Sequence, residues 1–202
     1  MVRSIADNYD LIIVGGGIVG LTLSQLIAQK TSLTIALVEA SEDVSVYSGE
    51  NFDPRVVALS TRSESIFRSI DVWTKVKQQR ACAYKNMYVW DGDGTGKLEF
   101  SCDDLQQKHL GHIVENSCLV SSLRECLNRY NNVTFIVGDG VESAAVPSAS
   151  EAPLGEEVQN VRVDLMSGRQ LQSRVLIAAD GGQSKLRNLL EMPIREWSYG
   201  QK

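Results

Sequence analysis

The stretch YDLIIVGGGIVGLTLSQLIAQ, Tyr9 to Gln29, decides the fold. Leu11 to Val14 are apolar and rich in β-branched side chains, which predicts a short buried strand. Three glycines, Gly15 to Gly17, then break the chain, and Leu21, Leu23, Leu26 and Ile27 return near helical spacing. LTIALVEA predicts a second buried strand over Leu33–Val38, closed by the acid Glu39. Strand, helix and strand in about thirty residues form a βαβ unit with parallel strands and a right-handed crossover.

Gly15, Gly17 and Gly20 fit G-x-G-x-x-G, and the context gives the pattern weight: a strand before it, a helix after it, and Glu39 nineteen residues beyond Gly20. Gly15 permits the tight turn, Gly17 lets the backbone approach a pyrophosphate, and Gly20 lets helix and strand pack closely. The unpaired N–H groups and partial positive charge of the helix N-terminus suit phosphates. Glu39 is placed to accept hydrogen bonds from the ribose hydroxyls of an adenosine. A carboxylate there disfavours a 2′-phosphate, so the pattern points to FAD or NAD rather than NADP. The competing reading is a glycine-rich turn that binds nothing.

Outward from this unit, residues 41–54 read as a loop. STRSESIFRSIDVW, Ser60–Trp73, reads as one amphipathic helix with Ile66, Phe67, Ile70 and Trp73 on a single face. NMYVWDGDGTGKLEF, Asn86–Phe100, reads as a β-hairpin, which suggests a departure from the first sheet into another layer. Val114–Tyr130 returns to helix, with Leu119, Leu123, Leu127 and Tyr130 in one stripe. VTFIVG is a strand, as are VESAAV and VQNVRVDLMSG, and the small, polar PSASEAPLGEE between the last two reads as an exposed loop. LQSRVLIAAD is the last complete strand, and Trp197 and Tyr199 read as the start of another.

Composition narrows the classes. The chain has 202 residues, 43% hydrophobic and 22% charged, enough for one sizeable core. A net charge of −5 offers no basic face for nucleic acid. The longest apolar run, Leu11–Leu23, is too short to span a bilayer, and Asp7 and Asp10 precede it where an export signal carries positive charge. Cys82, Cys102, Cys118 and Cys126 form no Cys-x-x-Cys pair and are expected as free, mostly buried thiols. His109 and His112 stand three apart with no carboxylate or cysteine cluster in their sequence neighbourhood, so no metal site is expected. No Ser-His-Asp constellation is visible, and no catalytic acid, base or nucleophile is assigned.

A second glycine motif, IAADGGQSKLR at Ile177–Arg187, follows the last strand. With the first motif it resembles the fingerprints of the FAD-dependent aromatic hydroxylases, the single-component flavin monooxygenases. FDPRVVALSTRSESIFRSIDVW, MYVWDGDG and LGHIVEN look like the branch that hydroxylates polyprenyl phenols in ubiquinone biosynthesis. The resemblance spreads over nearly the whole chain. It implies that Asp180 and Gly181 lie against the flavin's pyrophosphate, with Ser184 and Arg187 stabilising the turn. It also implies cofactor contacts at Arg55, Asn116 and Val141. Read from the residues alone, Arg55 is a solvated loop arginine and Asn116 a helix cap. With Ile18, Val19 and Ala40 beside the first motif, the expected FAD-binding set is Gly15, Gly17, Ile18, Val19, Gly20, Glu39, Ala40, Arg55, Asn116, Val141, Asp180 and Gly181.

The fold expected is α/β: a Rossmann-like FAD-binding βαβ domain with a parallel sheet and a β-meander, plus the start of a β-rich substrate domain. Residues 1–80 and 111–187 are expected to form the first, 81–110 and 188–202 the second. The resemblance implies a monooxygenase that uses NADPH or NADH, O2 and a polyprenyl phenol. It further implies association with other proteins of ubiquinone biosynthesis, and a cytoplasmic protein peripheral to the inner membrane. The family's downstream Gly-Asp fingerprint has no equivalent, since VGDG at Val137–Gly140 comes too early, so the chain is expected to be an N-terminal piece. An NAD-dependent dehydrogenase, a flavin reductase and an inactive FAD-binding fragment remain as alternatives.

Overall fold

The computed structural model describes residues 7–42, 47, 50–147 and 160–200. In chain order its elements are β1 (Asp7–Val14), α1 (Ile18–Lys30), β2 (Ile35–Glu39), β3 (Val56–Ser60), α2 (Thr61–Ser69), α3 (Trp73–Gln79), β4 (Ala81–Tyr84) and β5 (Asn86–Trp90). There follow β6 (Lys97–Ser101), β7 (Gly111–Glu115), α4 (Asn116–Leu127), β8 (Val133–Val137), β9 (Val141–Ala145), β10 (Val161–Leu165), β11 (Gln170–Ala178) and α5 (Lys185–Leu189).

Two compact units divide the chain, residues 1–42 with 131–202, and residues 43–130. These limits differ from the domain division expected from the sequence at 43–80, 111–130 and 188–202. Strand pairing accounts for most of the difference. β7 pairs antiparallel with both β3 and β4, so the strands around residues 56–60 and 111–115 join the sheet of residues 81–84.

The first unit is built on a six-stranded sheet in the order β8-β2-β1-β11-β10-β9. β8, β2, β1 and β11 run parallel, while β11, β10 and β9 form an antiparallel meander. The expected parallel sheet with a meander is therefore present. β1 is central, and Ile12 and Ile13, which point to opposite faces, are both fully buried. That two-sided burial is why the strand reads as a continuous apolar run. Ile12, Val38, Val163, Leu165, Leu171 and Leu186 pack together on one side.

Helix α1 buries a different stripe from the expected one. Leu21 is buried, but its companions are Gly20, Ser24, Gln25 and Ala28, while Leu23, Leu26 and Ile27 are half-buried. The two polar side chains are accommodated by back-bonding within the helix: Ser24 Oγ donates to the Gly20 carbonyl at 2.8 Å and Gln25 Nε2 to the Leu21 carbonyl at 3.3 Å.

The second unit holds a three-stranded sheet, β3-β7-β4, and the two-stranded hairpin β5-β6 expected over Asn86–Phe100. The single helix expected over Ser60–Trp73 is two. α2 starts at the Ser60 cap, whose hydroxyl accepts from Ser63 N–H at 3.2 Å. It stops at Ser69, and Asp71 takes φ 58° before α3 begins. The break still buries Phe67, Ile70 and Trp73, which preserves the apolar face across the turn. α4 buries Leu119, Leu123 and Leu127 as expected, and ends before Tyr130.

Trp197 and Tyr199 form no strand. They are exposed and meet edge to face at 6.2 Å, with no ladder partner to pair them. Most of the loop expected over Pro147–Glu157 lies outside the described residues. Cys82, Cys102, Cys118 and Cys126 are free thiols, the last three buried. No helix among the described residues is long and apolar enough to cross a membrane.

Candidate functional site

Pairing of β1 with β2 on one side and β11 on the other brings the ends of the three strands together. Gly15, Glu39 and Asp180 follow or close those strands, so the two glycine motifs meet at one edge of one sheet. Between them lies a cavity of about 470 Å³, lined in part by Gly15, Gly17, Glu39, Ala40, Asp180 and Gly181. Val141 lines it too, from the start of β9. A site outside the carboxyl ends of parallel strands is the usual ligand position in an open α/β sheet.

The first glycine turn cannot be built from other residues. Gly15 has φ +112°, and a side-chain carbon there would stand 2.2 Å from the Ala179 carbonyl oxygen. At Gly20 such a carbon would stand 1.9 Å from the Gly15 carbonyl, which is how closely α1 approaches the turn. Gly17 is different, because among the described residues nothing lies within 4 Å of the place its side chain would take. It is the residue before α1, it receives no side-chain cap, and the first turn of the helix carries no acid. The first N–H groups of α1 thus lack a side-chain cap, and the helix start keeps its partial positive charge beside the Glu39 carboxylate, which reaches the turn. Ile18 and Val19 begin the helix, with Val19 exposed, and neither lines the cavity.

Glu39 already organises this turn. Its Oε2 accepts from Gly16 N–H at 2.5 Å and its Oε1 from Ser41 N–H at 2.9 Å. A carboxylate has about four lone-pair positions, so capacity remains for ribose hydroxyls. On the other wall, Asp180 Oδ2 accepts from Leu186 N–H at 3.1 Å, while its Oδ1 is buried with no hydrogen-bond partner among the described residues. Burial pushes the Asp180 pKa up, but its hydrogen bonds outweigh that and hold it below the ordinary value. Ser184 caps α5 by accepting from Arg187 N–H at 3.1 Å, and Arg187 donates back to the Gly182 carbonyl at 3.1 Å. The turn is thus braced at both ends.

Two further residues shape the cavity without having been expected. Lys185 Nζ donates to the Val141 carbonyl at 2.6 Å, tying α5 to β9, and Met166 lies along the wall. Both lie near glycines in sequence, but nothing local marks them as lining residues.

Arg55 and Asn116 belong to the second unit, where they meet each other. Asn116 N–H donates to the Arg55 carbonyl at 2.9 Å. The Arg55 side chain is 72% exposed. Asp53, not expected from the sequence, holds this junction. Its buried carboxylate accepts from Arg55 N–H and from Ser117 N–H, both at 2.9 Å, and so caps α4 from 64 residues away. Glu115 in turn accepts from Asp53 N–H at 2.8 Å and from Arg80 at 3.0 Å.

Residues 8–199 match the family described as FAD binding domain. The chain belongs to that family. Its relatives carry the resemblance further. The mitochondrial ubiquinone biosynthesis monooxygenase COQ6 of Caenorhabditis elegans is 32% identical over 205 residues, which cover 98% of this chain and 44% of that protein. The 3-demethoxyubiquinol 3-hydroxylase of Escherichia coli K12 is 27% identical over 192 residues, covering 95% of this chain and 46% of that protein. This FAD-binding domain thus spans less than half the length of those relatives.

Solved structures share the fold. PqsL, a probable FAD-dependent monooxygenase from Pseudomonas aeruginosa, matches with a TM-score of 0.70 at 20% identity, over 96% of this chain and 48% of its own. PieE, a flavin-dependent monooxygenase in complex with FAD and substrate, matches with a TM-score of 0.70 at 18% identity, over 93% of this chain and 33% of its own. The resemblance to FAD-dependent hydroxylases of the ubiquinone branch is borne out. The residues present fit FAD: an open Gly17, an uncapped helix start and an orphaned Asp180 oxygen converge on one cavity.

Proposed function

We propose that this chain is the FAD-binding portion of a monooxygenase that hydroxylates a polyprenylated phenol in ubiquinone biosynthesis, with NADPH or NADH and O2. The observation that carries the reading is the single cavity built from both glycine motifs, in a chain whose relatives bear ubiquinone-pathway names. Glu39 takes the ribose of the adenosine half, the Gly15–Gly20 turn and the start of α1 take the pyrophosphate, and Asp180 and Gly181 close over it. Ala40 and Val141 flank the adenosine, Ile18 and Val19 carry the helix backbone to the phosphates, and Arg55 and Asn116 supply further cofactor contacts. FAD, when bound, would supply the redox chemistry by which NAD(P)H reduces O2, one oxygen atom entering the ring and the other leaving as water. The chain's own part is to bind and orient the cofactor.

Residues 81–110 and 188–202 are assigned to the substrate side. In support, hairpin β5-β6 exposes Tyr88, Trp90, Leu98 and Phe100, and Ile194 within the second segment is exposed. A polyprenyl substrate would hold the protein at a membrane surface, near other proteins of the pathway.

The test is genetic and chemical together. The gene that encodes these residues is introduced into a bacterial strain lacking a ubiquinone ring hydroxylase, and quinone intermediates are followed by mass spectrometry. The expected result is a hydroxylated ring and restored ubiquinone. Expressed, FAD-loaded protein that leaves the phenol unchanged would overturn the substrate assignment, and protein that binds NAD but no flavin would overturn the whole reading.

A further inference from the structure

A second cluster of chemistry-bearing side chains lies in residues 43–130 and takes no part in the nucleotide cavity. Glu64 on α2, His109 just before β7 and His112 within β7 converge. Glu64 Oε2 stands 3.1 Å from His109 Nε2 and 3.1 Å from His112 Nδ1. One ligand atom from each of the three residues lies within 4.8 Å of the other two. Glu64 and His112 are buried, at 6% and 5% exposure.

Hydrogen bonding alone satisfies this arrangement poorly. His109 shares a hydrogen bond with Oε2, whereas His112 Nδ1, buried and 3.1 Å from the same oxygen, makes no well-aligned hydrogen bond among the described residues. Two imidazoles thus compete for one carboxylate oxygen, and one loses. A buried ring nitrogen left without a well-aligned partner is destabilising. We infer that Glu64, His109 and His112 form a binding site for a divalent transition metal of the zinc class.

The geometry suits that ion. Ligands about 2.0–2.1 Å from a tetrahedral zinc stand about 3.3 Å from each other. The two 3.1 Å separations need almost no adjustment. Two imidazoles and a carboxylate are a donor set that zinc accepts with one position left open. Surrounding contacts fix the ligands. Arg68 holds Glu64 Oε1 with Nε at 3.0 Å and Nη2 at 2.5 Å, so Oε2 is turned toward the histidines. The His112 ring is wedged edge to face against Trp73 at 4.9 Å and His109 at 4.5 Å. Outer contacts of this kind orient ligands and tune affinity. Glu64 and His109 line a groove together with Arg62 and Lys108, which gives the ion a route from solvent and suits water, hydroxide or a small anion as its fourth ligand. The ion would tie α2 to β7.

Chelator-stripped protein is titrated with zinc chloride by calorimetry, and cobalt(II) is used as an optical probe. One zinc per chain is expected, with a raised melting temperature, and a cobalt spectrum of tetrahedral type without a thiolate charge-transfer band. Glu64→Gln and His112→Ala should each lose at least tenfold in zinc affinity. Because those two sites are buried, His109→Asn provides the safeguard: its side chain is 25% exposed, so the variant should keep its circular dichroism and still lose zinc. No zinc uptake by the parent protein, equal uptake by folded His109→Asn, or a thiolate band placing the metal on cysteine would each overturn the proposal.

Discussion

In the first unit Gly16 meets Glu39 across 23 residues, through one parallel strand pairing; in the second, Glu64 meets His109 across 45 and Asp53 meets Ser117 across 64. The nucleotide cavity is therefore assembled from short motifs, each a strand end with its turn, which the sheet brings together. The buried polar centres of the second unit have no motif at all, only single side chains delivered by antiparallel pairing. A site of the first kind should fail when backbone geometry is altered, and one of the second kind when an individual side chain is removed.

The largest effect is expected at Gly15. Gly15→Ala combines an unfavourable φ with a carbon 2.2 Å from the Ala179 carbonyl. Strain and overpacking together should cost about 3–5 kcal/mol, read as a fall in the urea midpoint. A midpoint within error of the parent would break the backbone half of the comparison.

Next comes Glu39→Ala. A charge-assisted hydrogen bond is worth about 1.5–3 kcal/mol, so FAD affinity should drop by about ten- to a hundredfold. Fluorescence titration giving an unchanged Kd would remove the ribose role from Glu39. In the second unit, Asp53→Ala deletes the long-range cap of α4 and should cost about 1–2 kcal/mol. Denaturation at parental stability would show that Ser117 and Arg55 need no partner there.

The smallest effect concerns pH. Asp180 has a folded pKa below its ordinary value, so its contribution to stability is complete above about pH 4–5 and is lost as pH falls through the lowered pKa. Asp180→Asn should flatten the acid limb of the stability profile, measured by urea melts across that range. Parallel profiles for the two proteins would mean that the carboxylate is not coupled to folding.

How far the sequence carried the account follows the same division. The places of Gly15, Gly17, Gly20 and Glu39 were legible because local geometry dictates their residue types: a positive φ, a close approach, a strand end; Asp180 and Gly181 were reached only through the resemblance of IAADGGQSKLR to a family fingerprint. Lys185 and Met166 were not, since their place on the cavity wall depends on β9 and β10 pairing beyond β11. The helix expected through Ser60–Trp73 broke at Asp71 because apolar periodicity marks a buried face, not the continuity of the backbone beneath it. His109 and His112 read as lacking a carboxylate because Glu64 lies on another element, and no local spacing reveals that β3 and β7 are neighbours. Asp53 was hidden for the same reason.

The open backbone at Gly17 is expected to let a pyrophosphate reach it. FAD titration of the parent and of Gly17→Val, followed by flavin fluorescence and paired with circular dichroism, tests this most directly. Among the described residues nothing lies within 4 Å of the position a side chain would take there, so the variant should fold as the parent does. The expected result is saturable binding of one FAD per parent chain, competed by ADP, and no detectable binding by the folded variant. Equal affinity in the two proteins would contradict the claim.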